Sequence, residues 1–261
     1  MSRHEAERAP AELIELLTQS RARVGPFSSV HYFSEVASTN DVAAPLPEGA
    51  VVLADRQTAG RGRRGHAWFS PPGSGLYASV VLAPGRAADP VRATMLLTLA
   101  AGVALAEGVD AASGLRVDLK WPNDLYVSRR KLAGILAEAS GERVVLGFGI
   151  NTSVASYPPD LHERVTSIES ELGRSIDRYP VFVETLAALS RRYRDLLVGR
   201  FDAILDAWRR RAPAAVGARV ARTVDGNLVT GVTAGVDDQG ALLVRVGDRV
   251  ERVVSGELQW L

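Results

Sequence analysis

Apolar positions fall into two rhythms along this chain, one helical and one alternating. Leu13, Ile14, Leu16 and Leu17 share one stripe at helical spacing, so a short amphipathic packing helix is expected before Gly25-Pro26. VHYFSEV and AVVLAD read as strands, and Ser38-Thr39-Asn40 between them as a cap-like turn. GLYASVVLA (75–83) is a third strand. Asp89-Pro90 then opens a helix with Asp at the N-cap and Pro in the first turn. From Val91 to about Glu107 that helix is apolar nearly all round, which predicts burial. LRVDLKW (115–121) alternates as a strand stopped by Pro122, and KLAGILAEA with ERVVLGFGIN forms a hairpin turning at Ser140-Gly141. SVASYPPDLHERVTS is an irregular connection. A second helical region runs from about Tyr179 to Arg211, in two pieces around Gly199.

After Pro213 the texture changes. Short valine-rich runs alternate with turn signals at Asp225-Gly226, Asp238-Gln239-Gly240 and Gly247-Asp248, which predicts a small β-barrel. The expected plan is an N-terminal helical extension over 1–28, an α+β domain over 29–212 and a β domain over 213–261. No internal repeat or low-complexity tract interrupts it.

Composition narrows the function classes. The 261 residues carry 31 basic and 30 acidic side chains, a net charge of +1. Nucleic-acid binders show a broad basic excess, so none is expected as a partner. Without cysteine, thiolate zinc sites, disulfides and cysteine nucleophiles are excluded. His4, His31, His66 and His162 lack ligand spacing. The N-terminus mixes charges without an apolar run, unlike a signal peptide. No run of about 18 apolar residues predicts a membrane span. A cytoplasmic protein is expected.

Local charge is a different matter. GRGRRG, residues 60–65, satisfies the G-x-G-x-x-G pattern of dinucleotide sites. That pattern needs a helix directly behind it to hold a pyrophosphate. Here HAWFSPPGSG follows, whose prolines and glycines forbid the helix. The glycines still let backbone approach a ligand, and Arg61, Arg63 and Arg64 offer planar forks for carboxylate or phosphate. An exposed basic turn is the blander alternative.

Two further stretches add chemistry. Lys120-Trp121-Pro122-Asn123-Asp124 ends a strand in a lysine and two polar side chains, although it is also a good turn sequence. Lys131 opens the next strand, with Ala133 as its expected same-face neighbour and room to extend over the sheet. In ERVVLGFGIN, Val144, Leu146, Phe148 and Ile150 share one face, and Val145, Gly147, Gly149 and Asn151 the other. Glycine weakens a strand, so the second face implies close approach of something, or a bulge.

Taken together, STN (38–40), QTAGRGRRG (57–65), WFSPPGSGLYAS (68–79), KWPNDL (120–125), KLAGIL (131–136) and GFGIN (147–151) resemble the bacterial biotin–protein ligases in order and spacing. The resemblance runs from about Val30 to the C-terminus. It implies an α+β fold with a mixed-sheet catalytic domain of the biotin/lipoate ligase type, followed by a small SH3-like β-barrel. It also implies a two-step reaction. Biotin and ATP, with Mg2+ on the nucleotide phosphates, give biotinyl-5′-AMP and pyrophosphate. A lysine of a biotin carboxyl carrier domain then takes the biotinyl group.

Such chemistry suits these residues. Two anions must meet, so fixed cations are required, and no side-chain nucleophile is. By resemblance Ser38, Thr39, Asn40 and Gln57 hold the biotin head, and Arg61, Gly62 and Arg63 form the loop over biotin and the adenylate phosphate. Trp68 lines the pocket, on the nucleotide side. Lys131 faces the carboxylate and phosphate, and Lys120 is a second phosphate-side lysine. Asn123, Asp124 and Asn151 fall on the nucleotide side, and the catalytic set is Arg63, Lys120 and Lys131.

Some family members add a DNA-binding winged domain ahead of the first strand. Fewer than thirty residues precede Val30 here, and a form without that domain is expected. Family members include monomers and sheet-edge dimers, so a monomer or weak homodimer is expected. The rivals are a lipoate–protein ligase, an RNA-binding module with a basic loop, and a degenerate ligase that only binds biotin. The complete GRGRRG and KWPND patterns argue against the first, the small net charge against the second, and the intact motifs against the third.

Overall fold

The computed structural model describes residues 6–153, 161, 163–224, 227–256 and 258–261. His4, His162 and the expected turn at Asp225-Gly226 lie outside them. Strands β1 (Val30–Val36), β2 (Val51–Gln57), β3 (Gly75–Leu82), β4 (Asp118–Lys120), β5 (Asp124–Val127), β6 (Arg130–Ser140) and β7 (Arg143–Asn151) form one sheet in the order β1-β2-β3-β7-β6-β5-β4. The β1–β2 pair is parallel and the others antiparallel, so the sheet is mixed as expected.

Helices α1 (Ala11–Gln19), α2 (Arg21–Val24), α3 (Thr39–Ala43), α4 (Pro90–Ser113), α5 (Ile168–Leu172), α6 (Arg178–Leu197) and α7 (Phe201–Arg211) surround it. Asp89 caps α4 by accepting from the Arg92 amide at 3.0 Å, as the Asp-Pro signal predicts. By length and composition α4 could cross a bilayer, but 67% of its apolar window is buried in the protein. It is a core helix, packed against α6, α7 and the sheet. Gly199, at φ +76°, separates α6 from α7 where the sequence breaks its helical rhythm.

The N-terminal stripe is only partly used. Leu13 is buried and Ile14 is 41% exposed. With Val24 and Phe27, Leu13 joins the main core, so the extension is built into the first domain rather than appended to it.

Strands β8 (Val216–Val224), β9 (Asn227–Val236), β10 (Leu242–Val246), β11 (Arg249–Val253) and β12 (Gln259–Trp260) make the second sheet, ordered β11-β10-β9-β8-β12. The order is linear, so this SH3-like domain is not a closed barrel among the described residues. It is bolted to the first domain. Trp121 Nε1 donates to Gly240 O at 2.9 Å and Arg92 Nε to Asp238 O at 3.0 Å. Leu242, Val244 and Val253 share the main core.

The faces of β3 and β7 position everything that follows. Leu76, Ala78, Val80, Leu146, Phe148 and Ile150 pack into the main core beneath the helices. Tyr77, Ser79, Gly147, Gly149 and Asn151 therefore point the other way.

Candidate active site

All the site residues singled out in the sequence line a single cleft of about 1810 Å3 between the sheet, the glycine loop and the C-terminal domain. One wall is made of buried polar side chains. Ser38 takes the N-cap position of α3, but no side-chain cap bond is made. Thr39 donates from its amide and from Oγ1 to Gln57 Oε1, at 2.9 and 3.1 Å. Gln57 Nε2 in turn donates to Ser70 Oγ at 3.1 Å. Ser79 Oγ lies 2.7 Å from Thr39 Oγ1 and 2.6 Å from Asn40 Oδ1. Asn40 settles onto β7 because Gly147 has no side chain there: a Cβ would stand 2.3 Å from its Oδ1. Asn151 is buried and donates from Nδ2 to Thr166 O at 3.0 Å.

The glycine loop is a small hairpin. Gly62 N donates to His66 O at 2.7 Å and Trp68 N to Gly60 O at 2.8 Å. Arg64 sits in left-handed backbone at φ 55°. The three arginines diverge. Arg61 is bound by Asp41 and Glu138, and Arg63 Nη1 donates to Asn123 Oδ1 at 3.2 Å. Arg64 turns toward the C-terminal domain, lining a small pocket with Gly256 and Arg222. The hydrogen bonds from the Arg61 fork hold the Asp41 carboxyl below the usual range, against the partial burial that would raise it.

Trp68 lies flat on bare backbone. Gly134 and Gly149 are cross-strand partners, and a Cβ on either would come within 2.9 and 2.3 Å of the indole. The expected close approach on the glycine face is thus made by Asn40 and Trp68. Trp68 Nε1 is buried there without a partner.

Lys131 extends over Trp68, its Nζ 5.4 Å from the ring centroid and 2.7 Å from Asp124 Oδ1. The Asp124 contact is ionic and lacks the geometry of a hydrogen bond. The expected neighbour, Ala133, is instead in the core. A register shift between β5 and β6 at Leu125/Tyr126 breaks the alternation, so Lys131 runs above Gly134. Lys120 Nζ stands 4.7 Å from the Tyr126 ring centroid, 5.5 Å from that of Trp260 and 3.4 Å from Tyr126 Oη. Asn123 serves the fold as well, donating from Nδ2 to Ile135 O at 2.8 Å. The Trp121–Pro122 bond is cis.

Sequence reasoning passed over Ser79, Asp41, Glu138, Tyr126 and Trp260. Two of them carried a signal. Ser79 is the lone aliphatic hydroxyl in the largely apolar run GLYASVVLA, and Glu138 is the one charge in LAGILAEA. A single polar residue facing inward from an apolar strand needs a partner.

Comparison with known proteins agrees with this arrangement. Residues 32–154 match the Biotin/lipoate A/B protein ligase family. Over 93% of this chain and 79% of its own length, the "Bifunctional ligase/repressor BirA" of Bacillus spizizenii is 35% identical. The chain belongs to the biotin–protein ligase family. The "Biotin--[acetyl-CoA-carboxylase] ligase" of Paracoccus denitrificans is 35% identical over 80% of this chain and 90% of its own. Among solved structures, the biotin protein ligase from Aquifex aeolicus in complex with biotin and ATP superposes with TM-score 0.80 at 27% identity, covering 90% of this chain and 99% of that one. The family's two-domain architecture is therefore present, with the motif residues gathered on its cleft.

Proposed function

We propose that the protein is a biotin–protein ligase that works in the cytoplasm, as a monomer or weak homodimer without a nucleic-acid partner. It activates biotin with ATP and transfers it to one lysine of a biotin carboxyl carrier domain. The observation that carries this reading is the convergence of a buried polar pocket and a set of cations on one cleft. The polar pocket of Ser38, Thr39, Asn40 and Gln57 suits an uncharged ring system rich in donors and acceptors. The bare Gly134–Gly149 backbone and the partnerless Trp68 Nε1 suit a ligand that enters beside the indole.

In the first step an oxygen of the biotin carboxylate attacks the α-phosphorus of ATP, and the bond to the β-phosphate bridging oxygen breaks to release pyrophosphate. Mg2+ enters on the nucleotide phosphates. Lys131 meets the carboxylate and α-phosphate, where charge accumulates, and Arg63 and Lys120 hold phosphate oxygens. Asn123, Asp124 and Asn151 line the nucleotide side. The loop of Arg61, Gly62 and Arg63 shields the mixed anhydride from water. In the second step the carrier lysine amine attacks the acyl carbon, and AMP leaves.

The test uses the protein with biotin, MgATP and a carrier domain. Biotin-dependent exchange of labelled pyrophosphate into ATP and a biotinyl mass gain on the carrier are expected. Exchange that responds to lipoate instead would move the protein to the lipoate ligases.

A further inference from the structure

Both terminal nitrogens of the Arg61 guanidinium are engaged by carboxylates. Nη1 donates to Asp41 Oδ2 at 2.8 Å and Nη2 to Asp41 Oδ1 at 2.6 Å, a bidentate fork. The same Nη2 reaches Glu138 Oε2 at 3.2 Å. That Glu138 oxygen also accepts from Asn40 Nδ2 at 2.5 Å. One carboxylate oxygen on β6 therefore joins the buried polar pocket on α3 to the root of the glycine loop.

Two consequences follow from the chemistry. A carboxylate only accepts, so Asn40 must present its NH2 to Glu138 and its Oδ1 to Ser79. Flipping the amide would set two acceptors against each other. Arg61, for its part, stands between two negative groups. The local sum is −1, which disfavours a carboxylate or phosphate ligand at that position.

We propose that Glu138, together with Asp41, is a positioning residue: it uses Arg61 as a latch on the loop root and fixes the Asn40 amide for the ligand. The proposal deepens the biotin-ligase reading and rests on it for the ligand's identity. These ion pairs are half-exposed, so their worth is geometric more than energetic.

Limited trypsin digestion with mass identification of the cuts reads the latch without any activity. In the parent, cleavage after Arg64, which is exposed and left-handed, precedes cleavage after Arg61. Glu138→Ala and Asp41→Asn each raise cleavage between Arg61 and Gly62 by about threefold, and the pair by about tenfold, with the thermal melt as control. Kinetics reads the coupling. Glu138→Ala raises KM for biotin by roughly tenfold while KM for ATP stays within about twofold, through the lost charged hydrogen bond. Glu138→Gln, which keeps an acceptor for Asn40, recovers most of that. Should Glu138→Ala fail to fold, Asp41→Asn and Glu138→Gln carry the test. Cleavage after Arg61 unchanged in the variants, or both KM values rising by one factor, overturns the proposal. A parent that exchanges no pyrophosphate with biotin would sink the ligase reading instead, and leave the cleavage pattern to judge the latch alone.

Discussion

The polar wall of the cleft and the cationic wall hold their side chains by different means. Ser38, Thr39 and Asn40 are 3, 3 and 5% exposed, and neighbours in the protein already engage the Thr39 and Asn40 side chains. Lys120, Asn123, Asp124 and Lys131 are only partly buried, and the lysines rest on ring faces and one carboxylate. Burial forces the first wall to be complete, because an unmatched polar group there costs about 1–3 kcal/mol. The second wall keeps charge near water, at little cost to the fold, until anions displace that water. The polar wall should therefore govern recognition and the cationic wall rate.

The largest expected effect tests the rate half. Lys131→Ala should slow biotin-dependent pyrophosphate exchange by about 10²- to 10³-fold, roughly 3–4 kcal/mol of transition-state stabilisation. Lys131→Arg should recover only part, since a flat fork cannot replace a compact ammonium. Asp124 loses its ion pair in the alanine variant, so a small drop in the melt, worth about 1 kcal/mol, is expected. Exchange near the parent rate in a folded variant would remove Lys131 from the reaction.

Next come the glycines that let both walls sit on the sheet. Gly147→Ala puts a Cβ 2.3 Å from Asn40 Oδ1, and Gly149→Ala puts one 2.3 Å from Trp68 Nε1. Asn40 has no free path away, because Glu138 and Ser79 hold it. Overpacking of this kind costs about 1–3 kcal/mol. Gly147→Ala should raise KM for biotin, and Gly149→Ala should perturb both substrates through Trp68 and Lys131. Equal effects of the two variants on both KM values would erase the distinction between the walls.

Ser79→Ala is milder. It deletes the hydroxyl that meets Thr39 and Asn40 inside the polar wall, at about 1–2 kcal/mol. The loss should appear in biotin affinity by calorimetry, with the carrier-independent turnover at saturating biotin nearly unchanged. A fall in turnover alone would place Ser79 with the cations.

Much of this was legible from pattern. Alternation in ERVVLGFGIN separated the core face from the glycine face, because a buried strand cannot slip register without exposing its apolar side. The short elements were not legible. β5 spans only Asp124–Val127, too few residues for a period to register, and its segment reads as a turn. LRVDLKW shrinks to Asp118–Lys120 as a strand for the same reason. The register shift that carries Lys131 over Gly134 leaves no local mark in KLAGIL, since it depends on how β5 pairs with it. Trp260 approaches Lys120 from the other domain, a contact no local pattern encodes.

The smallest effect concerns acid. Asp41 bridges the polar wall to the loop, and its carboxyl is held below the ordinary value by the Arg61 hydrogen bond. A carboxyl depressed in the folded state contributes fully above its unfolded value, about 3.9, and loses that contribution as pH falls through the lower folded value. Latching by Asp41 should thus be flat from neutral pH down to about 4.5 and weaken only below about 4. Hydrogen exchange at residues 60–66, corrected for intrinsic rate, reads this directly. Asp41→Asn should show the weakened protection at every pH. Loss of protection in the parent already between about pH 6 and 5 would take the acid response away from the Asp41–Arg61 fork.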